Sequence, residues 1–345
     1  MLLDGEDIEY LWNVIQRRQM IFHPTVAPER VFDYEKFYKF KRKKPFILFI
    51  DRNILSGLIK FCEQGSLRDK GESQTIGIIM AWAMLNDIAI SAGPGVQERA
   101  TQIKDQTYGL IELNKFFTIF DEYPMQMWLN VARGHITEIP PLKLVNGPAS
   151  HVTAQYADGC DHYYMIVASM LHLVGLYRKR KIKPVDKMLD FIQWTYDNLL
   201  VSQYIMTYAV LLLTNQEHVK APKDANSNDI ARIAKGCENQ AWDITYLSNW
   251  STLYSNTDKY KEEFLFATND VLLKHIFVNA HGKNGFNGLM HTVFPQKDYD
   301  RICDLIETRQ DNRVKPDFGS SPNLYFYKLI DKEKQRILKS PFISI

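Results

Sequence analysis

Residues 46–59 read FILFIDRNILSGLI. Five consecutive apolar residues, Phe46–Ile50, close on Asp51. A short apolar run without polar alternation predicts a strand buried on both faces. A helical pattern follows over Asn53–Glu63, with Ile54, Leu55, Leu58, Ile59 and Phe61 forming its apolar side. The same order of strand, turn and helix recurs twice. DIAIS (Asp87–Ser91) leads into AGPGVQERA, where Pro94 suits a first helical turn because its missing N–H would be unpaired there anyway. FLFAT (Phe264–Thr268) runs into a helix expected over Asp270–Val278. A further helix is expected at about Gln74–Met84. Strands alternating with helices predict an α/β fold, with a mainly parallel sheet flanked by helices and right-handed crossovers.

Between these blocks, residues 101–226 change character. Helical periodicity dominates over Leu110–Phe120, Met125–Arg133, His162–Tyr177 and Val185–Leu213, and Ile139–Pro148 reads as a loop. At residues 223–229, KDANSND supplies a helix start, with Ser227 or Asn228 as cap for a helix over Asp229–Asn239. The expected organisation is a helical lead-in over 1–45, an α/β domain from 46–100 and 227–300, a large helical insertion over 101–226, and an extension over 301–345.

The chain has 345 residues, 46% hydrophobic and 24% charged, which excludes disordered, collagen-like and low-complexity classes. Lys and Arg number 42 against 40 Asp and Glu, so a nucleic-acid footprint has to be a local patch. Cys62, Cys160, Cys237 and Cys303 lie far apart, without zinc spacing, and read as reduced core thiols. The N-terminal MLLDGEDIEYLW is acidic where a signal peptide would be basic. Met165–Leu176 and Leu199–Leu213, the longest apolar stretches, fall short of the about 20 residues a membrane span needs. A cytoplasmic protein with no membrane partner is the expectation.

In open α/β sheets, functional groups gather where strands end. That rule selects Asp51 after FILFI, Glu98 about one turn into the helix after DIAIS, and Asp270 two residues after FLFAT. Asp243, in the apolar stretch AWDITYL, opens a helical run. Each carboxylate stands in apolar sequence, where desolvation is costly, and four converging would repel unless a divalent cation neutralised them. Each also suits a structural role: Asp51, Asp243 and Asp270 as helix caps, Glu98 as a first-turn acid favoured by the helix dipole.

FILFIDRNILSGLI resembles the first strand and helix of PIN-domain nucleases. IAISAGPGVQERA is similar to their second acidic element, AWDITYL to the third, and FLFATNDVLLKHI to the fourth. The likeness covers roughly residues 46–100 and 228–280. It implies that Asp51, Glu98, Asp243 and Asp270 hold one or two Mg²⁺ or Mn²⁺ ions, with Asn53 and Thr268 positioning ligands or substrate. The implied activity is metal-dependent endoribonuclease cleavage of RNA phosphodiester bonds, in a toxin or phage-defence effector. All-oxygen ligation suits hard cations. The 126-residue helical block is longer than the connection in small PIN toxins, and leaves room for a regulatory protein partner or a second copy of the chain. The alternative of another class is a catalytically degenerate scaffold.

Arg18–His23 (RQMIFH) fits the loose R-x4-6-H pattern of HEPN ribonucleases, which cleave RNA without metal. Asp158, Asp161 and His162 form a weak metal pattern, with Asp161 better read as the cap of the helix starting near His162; His151 stands in a loop and His172 on that helix. Two basic runs are candidate RNA contacts: Lys39, Lys41, Arg42, Lys43, Lys44, and Arg178, Lys179, Arg180, Lys181, Lys183. Both also suit solvated helix ends. Tyr163, Tyr164, Trp194, Tyr196, Tyr204 and Tyr208 could stack bases, although helical spacing favours core packing. HGKNGFNG (281–288) lacks the context of a P-loop and reads as a connection.

Overall fold

The computed structural model describes residues 5–29, 31–144, 147–149, 154–156 and 159–339. The chain forms two compact units, Met1–Gly159 with Trp250–Asp270, and Cys160–Asn249 with Val271–Ile345. Among the described residues no helix is long and apolar enough to cross a membrane.

The first unit carries α1 (Gly5–Arg18), β1 (Ile21–Phe22), α2 (Tyr34–Lys41), β2 (Phe46–Ile50), α3 (Arg52–Gln64), α4 (Lys70–Leu85), β3 (Ala89–Ser91), α5 (Gly93–Ile103), α6 (Gln106–Glu122), α7 (Met125–Arg133) and β4 (Glu263–Ala267). The sheet is mixed, in the order β1-β4-β2-β3. β2 pairs in parallel with β3 (Leu48 opposite Ile90) and with β4 (Ile50 opposite Ala267). β1 pairs antiparallel to β4, with Ile21 opposite Ala267. This strand escaped the sequence reading because two residues carry no periodicity. The Ile21–Phe22 pair lies inside the very hexapeptide that fitted the metal-free ribonuclease pattern.

β4 is buried along its whole length, whereas Ile47 and Phe49 of β2 are only half-buried, so the expectation of two fully covered faces holds for β4 and not for β2. The strand expected from Asp87 begins at Ala89. Asp87 takes a left-handed conformation (φ 46°) after the end of α4, which aspartate tolerates better than most side chains and which turns the chain into the sheet.

The helices α5 to α7 pack with this sheet, so the expected boundary at residue 100 is absent, and the whole stretch to Gly159 belongs to the sheet unit. Close approach explains part of this. A Cβ at Gly77 of α4 would stand 2.7 Å from the Ala132 backbone nitrogen and 2.9 Å from the Trp128 carbonyl oxygen, both in α7. Only a residue without a side chain lets these two backbones touch. Phe32, Phe37, Phe46 and Trp82 fill the space on the other side of α4, with Phe37 stacked on Phe46 at 5.1 Å.

The second unit is helical: α8 (Asp161–Tyr177), α9 (Pro184–Asn198), α10 (Gln203–Leu213), most of α11 (Ile230–Tyr254), α12 (Val271–His281), α13 (Gly285–Val293), α14 (Gln296–Asp311) and α15 (Pro322–Leu338). Residues 227–249 and 271–300 thus belong here, and not with the sheet as expected. The helix expected over Val185–Leu213 breaks at Leu199–Ser202. Freed carbonyls at the break find new donors, Asn198 from the Tyr325 hydroxyl (2.9 Å) and Leu199 from Arg313 (2.9 Å). The cap of α8 is Cys160, with Asp161 its first helical residue. α11 is capped by Asp229, whose Oδ1 accepts from the backbone N–H of Ala231 and Arg232, rather than by Ser227 or Asn228. HGKNGFNG is a connection only in part: α12 runs to His281 and α13 starts at Gly285.

A buried ionic network ties α15 to α8 and α9. Glu333 is 2% exposed and accepts from Trp194 Nε1 (3.0 Å) and Arg336 Nε (3.0 Å), with His172 Nδ1 at 3.1 Å. Burial opposes its charge, but these partners outweigh burial and hold the carboxyl below its ordinary value.

Two substitutions test this packing. Gly77→Val should destabilise the chain by about 1–3 kcal/mol or more, as overpacking against backbone cannot be relieved by rotamer changes. Glu333→Ala takes the acceptor from Trp194 Nε1, Arg336 Nε and the buried His172 Nδ1, and should lose about 3 kcal/mol in chemical unfolding. Unchanged midpoints in either variant would contradict the packing described.

Candidate active site

β2, β3 and β4 run in the same direction, so their C-terminal ends lie along one edge of the sheet. Three of the four selected acids follow those three ends. Asp51 follows β2, Glu98 sits on α5 after β3, and Asp270 stands three residues past β4.

Asp51 is 2% exposed and caps α3. Its Oδ1 accepts the Ile54 N–H (2.8 Å) and its Oδ2 accepts the Thr268 hydroxyl. Its backbone N–H extends the ladder to Ala267 O (3.3 Å). Thr268, itself buried, accepts at Oγ1 from the Asp270 N–H (2.9 Å), and its own N–H donates to Met20 O (3.0 Å) ahead of β1. One hydroxyl therefore connects the end of β2 to the start of the Asp270 turn.

Glu98 and Asp270 are partly exposed, and Glu98 Oε1 accepts from Gln102 one turn along α5. Gly95 lets α5 approach α3, since a Cβ there would stand 3.0 Å from Leu55 Cδ2 and 3.4 Å from the Arg52 Cα. Burial pushes the Asp51 carboxyl up to about 6. The Thr268 and Ile54 hydrogen bonds oppose this, and the charges of Asp270 and Glu98 add to it. The three acids thus share one electrostatic neighbourhood.

Asp243 belongs to the second unit. It lies well inside α11 and does not open a helix, because residues 230–254 contain no proline and carry buried positions throughout. Its Oδ2 accepts from Gln240 Nε2 one turn earlier, and its charge helps to raise the Tyr208 phenol, which is shifted first by burial. Asn53 is exposed at the second position of α3.

Sequence reasoning missed Glu112 and its partner. Arg52, next to Asp51, forms an ion pair with the buried Glu112 of α6 and reaches the Gly95 carbonyl (3.5 Å). The available signal was an acid beside Leu113 and Phe116 on an apolar helical face.

Other candidates have structural roles. His23 has no exposed surface to offer an RNA; its Nδ1 accepts from the N–H of Thr25 and Val26 (both 3.1 Å). Arg18 donates to Thr75 Oγ1 and Gln74 Oε1. Lys41, Arg42, Lys43 and Lys44 precede β2 while Asp51 follows it, which separates them from Asp51 by a strand of about 17 Å. Lys44 donates to the carbonyls of Thr257 (2.7 Å) and Tyr260 (3.3 Å). Arg178 binds Ser227 O and Asn228 Oδ1, fastening the end of α8; Lys179 and Arg180 follow it in the same turn. Tyr163 stacks on Trp242 (4.4 Å) and Trp194 on His172 (4.2 Å), and Tyr204 and Tyr208 are buried. Asp158 and His151 lie outside the described residues.

Carboxylates suit a hard divalent cation, and burial raises the Asp51 carboxyl despite its two hydrogen bonds, with smaller contributions from the charges of Asp270 and Glu98. Among the described residues no three or more His, Cys, Asp or Glu side chains are grouped to hold a metal ion. Mg²⁺ commonly takes one or two protein carboxylates and keeps several waters, so the donor set fits such an ion. Profiles of known protein families, curated proteins and solved structures show no match to this chain.

The raised Asp51 carboxyl has a thermodynamic consequence. The ordinary value is 3.8 and the folded value about 6. Folding therefore takes up a proton in that window, and stability should fall as pH rises through it, by about 3 kcal/mol in total. Urea unfolding of wild type and Asp51→Asn across this window, without metal, isolates the contribution. The variant should lack this part of the slope, and parallel curves would refute the assignment.

Proposed function

We propose that the first unit is a metal-dependent phosphodiesterase of PIN-like kind, an endoribonuclease whose centre comprises Asp51, Glu98 and Asp270. The observation that carries this reading is the placement of three acids after three parallel strands, with two of them acting on the buried third. A purely structural cap at Asp51 has no need of two further carboxylates in its field, and they make its ionised form costlier.

A bound Mg²⁺ or Mn²⁺ would acidify a water and counter charge on the phosphate. The chain's own part is orientation. Ile54 N–H and the Thr268 hydroxyl fix both oxygens of Asp51. Thr268 also accepts the Asp270 backbone N–H, so one hydroxyl touches Asp51 and anchors the backbone of Asp270. Glu98 and Asp270 remain partly exposed and able to reach an incoming ligand. RNA, rather than DNA, is assigned through the resemblance of the strand–acid–helix elements to those nucleases.

The test is RNA cleavage with Mn²⁺ together with Mn²⁺ titration by calorimetry. Asp51→Asn, Glu98→Gln and Asp270→Asn should each cut the cleavage rate by about two orders of magnitude, since ion-based stabilisation is worth several kcal/mol. Wild type should bind at least one ion, and Asp51→Asn should bind it far more weakly. Full activity in Asp51→Asn would end the proposal. Binding of no ion by the wild type would favour a non-catalytic scaffold.

A further inference from the structure

The second unit holds a cavity of about 460 Å³ bordered by α9, α10, α13 and α14. Its size is ordinary for a small-molecule site. Ile192, Met206 and Ile306 supply apolar surface. No Lys, Arg, His, Asp or Glu lines it, and its polar side chains are chiefly carboxamides: Gln203, Asn284, Asn287 and Gln310. Gln203 Nε2 donates to the Ala280 carbonyl (2.7 Å), which fixes that amide and leaves its oxygen free to accept. The other three carboxamides make no hydrogen bond to the described residues. The Phe286 ring, also in the lining, has no aromatic partner among them.

This chemistry discriminates among ligands. A charged group entering the cavity would lose water and find no countercharge, so the occupant is neutral where it is enclosed. Asn and Gln pair in two-pronged fashion with the adjacent donor and acceptor of adenine. Guanine is matched by Arg or Lys and the cytosine amino group by a carboxylate, and neither residue class lines the cavity. An unstacked base also needs an aromatic face, which Phe286 supplies.

We infer that this cavity, with carboxamides on an apolar lining beside Phe286, is a binding site for an uncharged adenine base. The base arrives either as a free nucleoside or as an unpaired residue of a single-stranded RNA. The site lies wholly within the second unit and does not rest on the nuclease reading of the first.

Calorimetric titration of the full chain tests it with adenosine, guanosine, cytidine and penta-adenylate. Adenosine should bind saturably, one per chain, and guanosine and cytidine at least tenfold more weakly. Tighter binding of penta-adenylate identifies an RNA base as the source, and equal binding a free nucleoside; both uphold the site. Ile306→Trp fills the cavity and should abolish binding, and Gln203→Leu should weaken it at least tenfold, with circular dichroism checking the fold. If either variant fails to fold, the exposed Asn287→Leu takes its place, with a loss of at least tenfold expected. No saturable binding of adenosine or penta-adenylate at millimolar concentration overturns the inference. So does undiminished binding by the folded variants, or equal binding of a blocked dipeptide amide. Loss of cleavage in Asp51→Asn with adenosine binding intact separates the two proposals.

Discussion

The hydrogen bond from the Thr268 hydroxyl to Asp51 joins the ends of two adjacent parallel strands at the edge where three acids lie. The hydroxyl donates in one direction and accepts the Asp270 N–H from the other. A single buried oxygen therefore sets both the orientation of Asp51 and the path of the chain after β4. The Thr268 N–H, bonded to Met20, ties the short antiparallel β1 to the same point. Without this junction, Asp51 would keep its cap to α3 but lose its fixed relation to Asp270.

Asp51 shows how structural and chemical roles coincide in one side chain. As a cap it satisfies a free N–H at the start of α3, worth on the order of 1 kcal/mol. As a buried carboxylate beside two others it carries a cost of about 3 kcal/mol when ionised. That cost remains after the cap hydrogen bond has lowered it, and Asn would cap about as well. A carboxylate that burial makes costly to ionise, at the ends of parallel strands, is the feature on which the proposed cation site rests. The neighbouring Arg52–Glu112 ion pair has a packing role. It fixes the first turn of α3, next to Asp51, against α6 and α5.

The second unit solves a different problem, that of packing helices which are apolar on nearly all sides. α8 and α10 are buried along most of their length, and α15 covers α8 through the Glu333 network as well as apolar contact. In this interior the Glu333 carboxylate has His172, Trp194 and Arg336 as hydrogen-bond partners, as burial demands. The carboxamide-lined cavity stands apart from that network and contains no charge.

Local physics made much of this legible from the chain alone. FILFI and FLFAT could be read as strands because continuous apolar runs leave few alternatives, and the acids after them could be picked out because strand ends are where ligands gather. The helices over 125–133 and about 161–177 followed from periodicity. The two-residue β1, the break at Leu199 and the start of α11 at Asp229 did not, because each depends on partners distant in sequence: β4, Arg313 with Tyr325, and the competition among neighbouring capping residues. Asp243 looked like a helix start because an apolar stretch resumed there, yet nothing in residues 230–254 interrupts helical hydrogen bonding. The sequence by itself thus determined β2, β3 and β4 and the helices that follow them, and that acids follow these strands. Only the tertiary structure decided that Asp51, Glu98 and Asp270 share one field, that Glu112 pairs with Arg52, and that helices α5 to α7 belong with the sheet. The reason is physical: periodicity and capping act within a few residues, whereas burial and charge–charge interaction depend on distances that only the folded chain defines.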